Sequence, residues 1–371
     1  MKESASGEIT AVFIQSPADV RYALAVCELA AQRGAAILLI VVNVRSLYEF
    51  LAGIQLAGVE VHFVPYVLQP MPRSPWTLFR IWRQLCSHYT SVFGRRSVAE
   101  AWFFCVESDA VTPFFLKRLS KRSQIFLVDH YSMNEARERR WPVRLAVKWL
   151  FLRMVTGVSF GFCREVREAG VKPVWRTNLD PAQCNANTID LAPSLARFPL
   201  PPNIHPQVAI LMDSNEEASL DMHGYANAVA TLLGSLSSRN FDVLLKGHPR
   251  SGYSPFLTQF ELTTIPAGCP LELFNIESVA AVIGVVSLGL AAVAREGYMA
   301  VSLLYVIGFH NEGSRQFWRE WMDRHSNGKI LFPRSVPEAV TMIEGSLVMP
   351  IKSVCVTSLS VSKEKEQNVP A

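Results

Sequence analysis

Charge is scarce in this sequence. Only 18% of the 371 residues are charged, and 36 Lys and Arg against 32 Asp and Glu leave a formal net charge of +4. That balance excludes a histone-like or dedicated nucleic-acid binder, which carries a dense basic face. Seven cysteines (Cys27, Cys86, Cys105, Cys163, Cys184, Cys269, Cys355) are scattered without a CxxC pair. An odd, dispersed set reads as reduced thiols in a reducing compartment and excludes a structural zinc site. The eight histidines form no HExxH or HxxxH cluster, so no metal or other cofactor is expected. The strand ending in Ile14 is not followed by the GxGxxG of a dinucleotide site. No uncharged apolar stretch reaches the ~18 residues of a membrane-crossing helix. The nearest, Pro142 to Phe162, is interrupted by Arg144, Lys148 and Arg153. Met1 to Ile9 lacks a signal-peptide apolar core, so a cytoplasmic location is expected.

Hydrophobic residues are plentiful, at 50% of the chain, and a chain this long is expected to form two domains with separate cores. The first half alternates strands and helices. Thr10–Ile14 is a short β-branched run, and Val20 to Arg33 has helical spacing ending in Gly34. Ala36–Val42 is apolar throughout, as in a central strand covered on both faces. Leu47 to Ala57 reads as a helix stopped by Gly58, and Val59–Val64 alternates before Pro65. Leu78 to His88 and Glu135 to Val155 read as helices; Ala101–Val106, Ile125–Val128 and Val158–Phe162 read as strands. Alternation restarts at Gln207–Met212 and continues with a helix from Met222 and a strand at Phe241–Leu245. Val279–Ile283 and Ala300–Val306 are further strands, and helices follow at 288–296, 316–325 and 337–345. The order implies α/β architecture with parallel sheets. The expected division is an N-terminal Rossmann-like acceptor domain over 1–180, a proline-rich linker over 181–206, a C-terminal nucleotide-binding domain over 207–347 and a flexible tail over 348–371.

Three segments carry candidate chemistry. The strand Phe241–Leu245 delivers Lys246, Gly247, His248, Pro249 and Arg250 to its carboxyl end. Three cationic or proton-donating groups within five residues suit a phosphate, and an imidazole titrates near neutrality. A solvated surface turn has the same composition. Next, Ile265 to Phe274 is a proline-bounded turn entering a short helix near Glu272, a carboxylate that can accept from a ribose diol or serve the helix dipole. Third, Gly284-Val285-Val286-Ser287 ends a strand and opens a helix, where Ser287 can cap the helix or help bind phosphate.

In this order, the trio resembles the donor-binding half of bacterial sialyltransferases, especially the polysialyltransferase and lipooligosaccharide sialyltransferase group, over roughly residues 240 to 297. The resemblance implies a GT-B type fold, two facing Rossmann-like domains with a cleft between them. It further implies a metal-independent transferase moving sialic acid from CMP-sialic acid to a glycan acceptor. His248 would act on the donor phosphate, Ser287 would hold that phosphate, and Glu272 would bind the cytidine ribose. Lys246, Gly247, Pro249, Arg250 and Gly284 would complete the donor site. The family's serine motif is a Ser-Ser or Ser-Thr pair, where this chain has Val286-Ser287. Its acidic base motif falls nearest to Asp129, followed here by His130 and Tyr131 in place of an acid and a glycine. Asp129 is the expected general base, with Glu107 and Asp109 as rivals. Other donors, CDP-glycerol or a UDP-sugar, and a catalytically degenerate binding protein are the alternatives.

Arg140, Arg144 and Lys148 share one face of the helix expected over 139–153, beside Trp141 and Trp149. A peripheral contact with an anionic inner membrane face is one reading of that segment, and a core helix with a wet basic edge is another.

Overall fold

The computed structural model describes residues 9–54, 56–65, 75–104, 110–129, 150–151, 153–157, 171–175, 198–202, 207–214, 220–249 and 251–348. The first sheet contains β1 (Ile9–Ile14), β2 (Ala36–Val42), β3 (Val59–Val64), β4 (Val98–Phe103), β5 (Gln124–Asp129) and β6 (Val171–Trp175). Its strands are parallel, in the order β3-β2-β1-β4-β5-β6. Helices α1 (Val20–Gln32), α2 (Arg45–Gly53), α3 (Pro75–Phe93) and α4 (Val111–Leu119) connect them. The second sheet contains β7 (Gln207–Met212), β8 (Phe241–Lys246), β9 (Thr263–Ile265), β10 (Val279–Gly284) and β11 (Ala300–Ser302). It is also parallel, ordered β11-β10-β7-β8-β9. Its helices are α5 (Met222–Ser237), α6 (Leu288–Arg295), α7 (Glu312–Ser326) and α8 (Val336–Val348).

The period-two rule sorts the N-terminal core. Val12, Ile14, Leu39 and Val41 join α1 and α2 in a core that continues into the C-terminal domain. Ala11, Phe13, Leu38 and Ile40 point the other way, under α3 and α4, into a separate core. Phe13 stacks on Phe103 at 4.3 Å and meets the edge of Phe115 at 5.6 Å, filling that second layer.

The expected strands at 36–42 and 59–64 form with those bounds. The strand expected at 101–106 begins at Val98 instead, because β1 recruits it by pairing Ile9 with Val98. The strand expected over 300–306 stops at Ser302. Its hydroxyl accepts from Leu304 N at 3.3 Å and donates to Val285 O at 2.6 Å, turning the chain into a 3-10 turn. The expected linker at 181–206, apart from 198–202, the strand at 158–162 and the tail beyond 348 lie outside the described residues. So does most of the basic helix at 139–153, of which 150, 151 and 153 are described as helical. No helix among the described residues is long and apolar enough to cross a membrane.

Candidate active site

In open parallel sheets the crevice forms beyond the carboxyl ends of the strands, where the strand order reverses direction. In the N-terminal sheet that point lies between β1 and β4; in the C-terminal sheet it lies between β7 and β10. Gln15 to Asp19 follow β1, Asp213 and Ser214 follow β7, and Val285 to Ser287 follow β10.

The loop after β8 closes on itself. His248 N donates to Gly252 O at 2.7 Å and Gly252 N returns to His248 O at 2.8 Å. Gly252 sits at φ +72°, a left-handed conformation that a side chain would strain. Gly247 is also constrained: a Cβ there would lie 2.7 Å from the Tyr253 ring, so the close approach at this glycine is made by the protein's own aromatic. Lys246 is buried, and its ammonium donates to Ala267 O at 2.7 Å. Burial pushes its pKa down to about 8, with Cys269 and Glu272 pulling the other way. Arg250 lies outside the described residues.

The turn after β9 carries Glu272, half-buried in a single 3-10 turn, Leu271–Leu273, rather than in a longer helix. Burial raises its carboxyl pKa. Glu296 pushes in the same direction, while its own backbone hydrogen bond, Arg21 and Lys246 oppose. This turn belongs to a domain contact. A Cβ on Gly268 would overlap the backbone of Ser46 and Leu47 in α2. Ser46 Oγ donates to Pro249 O at 2.6 Å, and Arg21 of α1 pairs with Glu296 at 2.5 Å. The His-Pro loop and the Glu272 turn therefore both press on the first turns of the N-terminal helices.

Ser287 caps α6, accepting from Gly289 N at 3.1 Å. Gly284 ends β10 against Met212, where a Cβ would lie 3.4 Å from Met212 Cβ. Strand β7 separates β8 from β10. With about 4.8 Å between neighbouring strands, the exits toward His248 and Ser287 lie roughly 10 Å apart on one edge.

The ends of β7 link those exits through groups that sequence reading did not single out. Asp213 is buried and accepts from Tyr225 OH at 2.9 Å, Ser254 N at 2.5 Å and Ser254 Oγ at 2.8 Å. The Tyr225 hydroxyl pKa is raised well above its ordinary value by burial and then by the Asp213 charge. Ser214 N donates to Tyr225 OH, and Val285 N donates to Ser214 Oγ. One polar network thus joins the exits of β7, β8 and β10. The available signal was positional: Asp213 and Ser214 are the first polar residues after an apolar strand.

On the N-terminal side, Asp129 is the last residue of β5, paired with Trp175 in register. Strand order places it three positions from β2, so it lies roughly 14 Å along the edge from the α2 turn that touches Pro249. Glu107 and Asp109 lie outside the described residues. Asp19 is buried in a capping box, accepting from Gln15 N at 2.8 Å and Ser16 N at 2.9 Å. Among the described residues no three His, Cys, Asp or Glu side chains are grouped to hold a metal ion.

No family model matches the chain, and no curated protein sequence matches it. Solved structures do. The glycosyltransferase of kitacinnamycin is 11% identical with a TM-score of 0.55, covering 94% of this chain and 92% of that one. The calicheamicin glycosyltransferase CalG4 is 11% identical with a TM-score of 0.52, covering 93% of this chain and 91% of that one. At that identity the likeness establishes the fold: the chain has the GT-B architecture, with two parallel-sheet α/β domains.

Proposed function

We propose that this protein is a glycosyltransferase that takes its sugar from a nucleotide-activated donor held at the carboxyl edge of the C-terminal sheet. The observation that carries this reading is the meeting, on one edge, of the His248 loop, the Glu272 turn and the capped start of α6; Asp213 and Ser214 link the first and third, and Lys246 ties the turn to β8 through Ala267. A helix N-terminus and neighbouring proton donors suit a leaving phosphate. In the proposed step, Asp129 takes the acceptor hydroxyl proton and the acceptor oxygen bonds to the anomeric carbon. The carbon–oxygen bond to phosphate breaks with its electron pair on the departing nucleotide, which His248 and Ser287 stabilise.

For the donor, a UDP-sugar comes before CMP-sialic acid. The compared structures of this fold are named as the glycosyltransferases of calicheamicin and kitacinnamycin, and neither is named a sialyltransferase. The single serine at 286–287 and the bonding of Lys246 to Ala267 leave less of the CMP-sugar pattern in place. CMP-sialic acid is the second reading, supported by the ordered trio of motifs.

A donor screen by nucleotide release tests the proposal. UDP released from a UDP-sugar, slowed by His248→Ala about a hundredfold or more, is the expected result. CMP release from CMP-sialic acid alone would reverse the order of donors. Turnover unaffected by His248→Ala would remove the proposed chemistry from this loop. If calorimetry found no nucleotide binding, a degenerate binding protein would replace the enzyme reading.

A further inference from the structure

The face of the N-terminal sheet covered by α3, α4 and the helical residues after 150 has its own core, which includes no residue of the C-terminal domain. Ile81, Leu85, Val92 and Phe93 turn α3 inward. Outward, the same helix shows a ladder of large aromatics. Trp76 is 73% exposed, Phe79 48% and Trp82 43%, with ring centroids 5.7 and 6.1 Å apart. Leu150 and Met154, on the helical segment that packs on the same core past α4, are 59% and 62% exposed. Isolated exposed apolar residues are ordinary, but aromatics stacked along one helix form a contiguous apolar surface, which marks a contact site.

Charge identifies what the surface contacts. Arg80 and Arg83 are exposed among the aromatics, and Arg95, Arg118, Lys121 and Arg122 are exposed beyond them. Segments 75–97, 110–123 and 150–157 contain no Asp or Glu. A second copy of the chain would set this basic face against itself. A soluble polyanion would pair with the arginines but leave Trp76, Leu150 and Met154 in water. An anionic bilayer satisfies both: indole and phenyl rings sit at the headgroup–acyl boundary, and guanidinium groups meet acidic headgroups.

We propose that this face docks on an anionic lipid bilayer, with α3 lying in the interface plane. The helix spans roughly 28 Å at 1.5 Å per residue. It ends just before β4, so its Trp76 end lies at the carboxyl edge of the sheet. Docking therefore brings the carboxyl edge of the N-terminal sheet toward the bilayer at its Trp76 end, with the α1–α2 face that meets the C-terminal domain turned away from the lipid.

The test is co-sedimentation of the full chain with vesicles of phosphatidylcholine alone or mixed with phosphatidylglycerol, with tryptophan emission followed in parallel. Binding to the anionic vesicles with a blue shift is expected. The triple variant Trp76→Ser/Phe79→Ser/Trp82→Ser and the double variant Arg80→Glu/Arg83→Glu should each weaken binding about tenfold or more. Circular dichroism checks that each variant is folded. If the triple variant fails that check, Trp76→Ser alone should reduce quenching by brominated lipid. No binding to anionic vesicles, binding that both variants leave unchanged, or retention by heparin without vesicle binding would each overturn the proposal. Vesicle binding is read without turnover, so its outcome is independent of the donor screen.

Discussion

Two buried carboxylates, one at each sheet's carboxyl edge, fasten different kinds of structure. Asp213 follows β7 and accepts from Tyr225 in α5 and from Ser254 beyond β8, joining segments far apart in sequence. Asp19 follows β1 and accepts from Gln15 N and Ser16 N, residues of its own loop. The first arrangement makes the exits of three strands one unit. The second caps a turn within its own loop, which Gln15 Nε2 ties to α4 by donating to Thr112 Oγ1 at 3.0 Å. On the proposed function, a donor nucleotide would suit a cross-linked, pre-ordered edge.

The largest expected effect separates these carboxylates. Asp213→Ala leaves the Ser254 amide and hydroxyl and the Tyr225 hydroxyl without their buried acceptor, and should cost about 3 kcal/mol in urea unfolding. Asp19→Ala removes a cap and should cost about 1 kcal/mol. Equal losses would break the contrast between a cross-linked edge and a locally capped one.

Next comes the seam between the domains. Gly268→Ala would drive a methyl into the backbone of Ser46 and Leu47, which no rotamer change relieves. It should cost about 2 kcal/mol and loosen the domain contact. Limited proteolysis of the folded protein checks the loosening, and an unchanged cleavage rate would show that the seam yields without strain.

The smallest effect tests the electrostatics of the β8 exit. The Lys246 ammonium has its pKa pushed down to about 8 by burial, against an ordinary 10.5. Below about 8 both folded and unfolded chains hold this proton, and the folded state bears the burial cost in full. Between 8 and 10.5 the folded chain has released the proton while the unfolded chain retains it, so stability attributable to Lys246 rises with pH. From pH 7 to pH 9 the wild-type chain should gain about 1 kcal/mol relative to Lys246→Met. The difference is the readout, because the Cys27 thiol, pushed up to about 12, contributes with the opposite sign above its ordinary value. A flat difference across that range would mean that Lys246 is solvated.

The strands most legible in the sequence were those with an uninterrupted signal. Ala36–Val42 is apolar because both its faces are covered, and Val59–Val64 alternates and stops at Pro65. Two edge strands, β6 and β9, were not legible. β6 contains Pro173, and β9 has three residues, Thr263 to Ile265. An edge position tolerates a missing amide donor and a short length, so neither leaves a strong pattern. Site legibility divided in the same way. His248 and Ser287 were visible because each follows a strand or opens a helix, a one-dimensional signal. Asp213 was not visible, since its importance comes from partners 12 and 41 residues away.

By itself the sequence determined the alternation of strands and helices, the parallel α/β class and the positions of the strand exits, because hydrophobic period and turn chemistry act locally. Tertiary structure alone decided that Lys246 turns inward to Ala267, that Gly268 lies against α2 and that Asp213 ties three exits together. Those outcomes depend on burial and on partners brought in by strand order, and neither is encoded within a window of neighbouring residues.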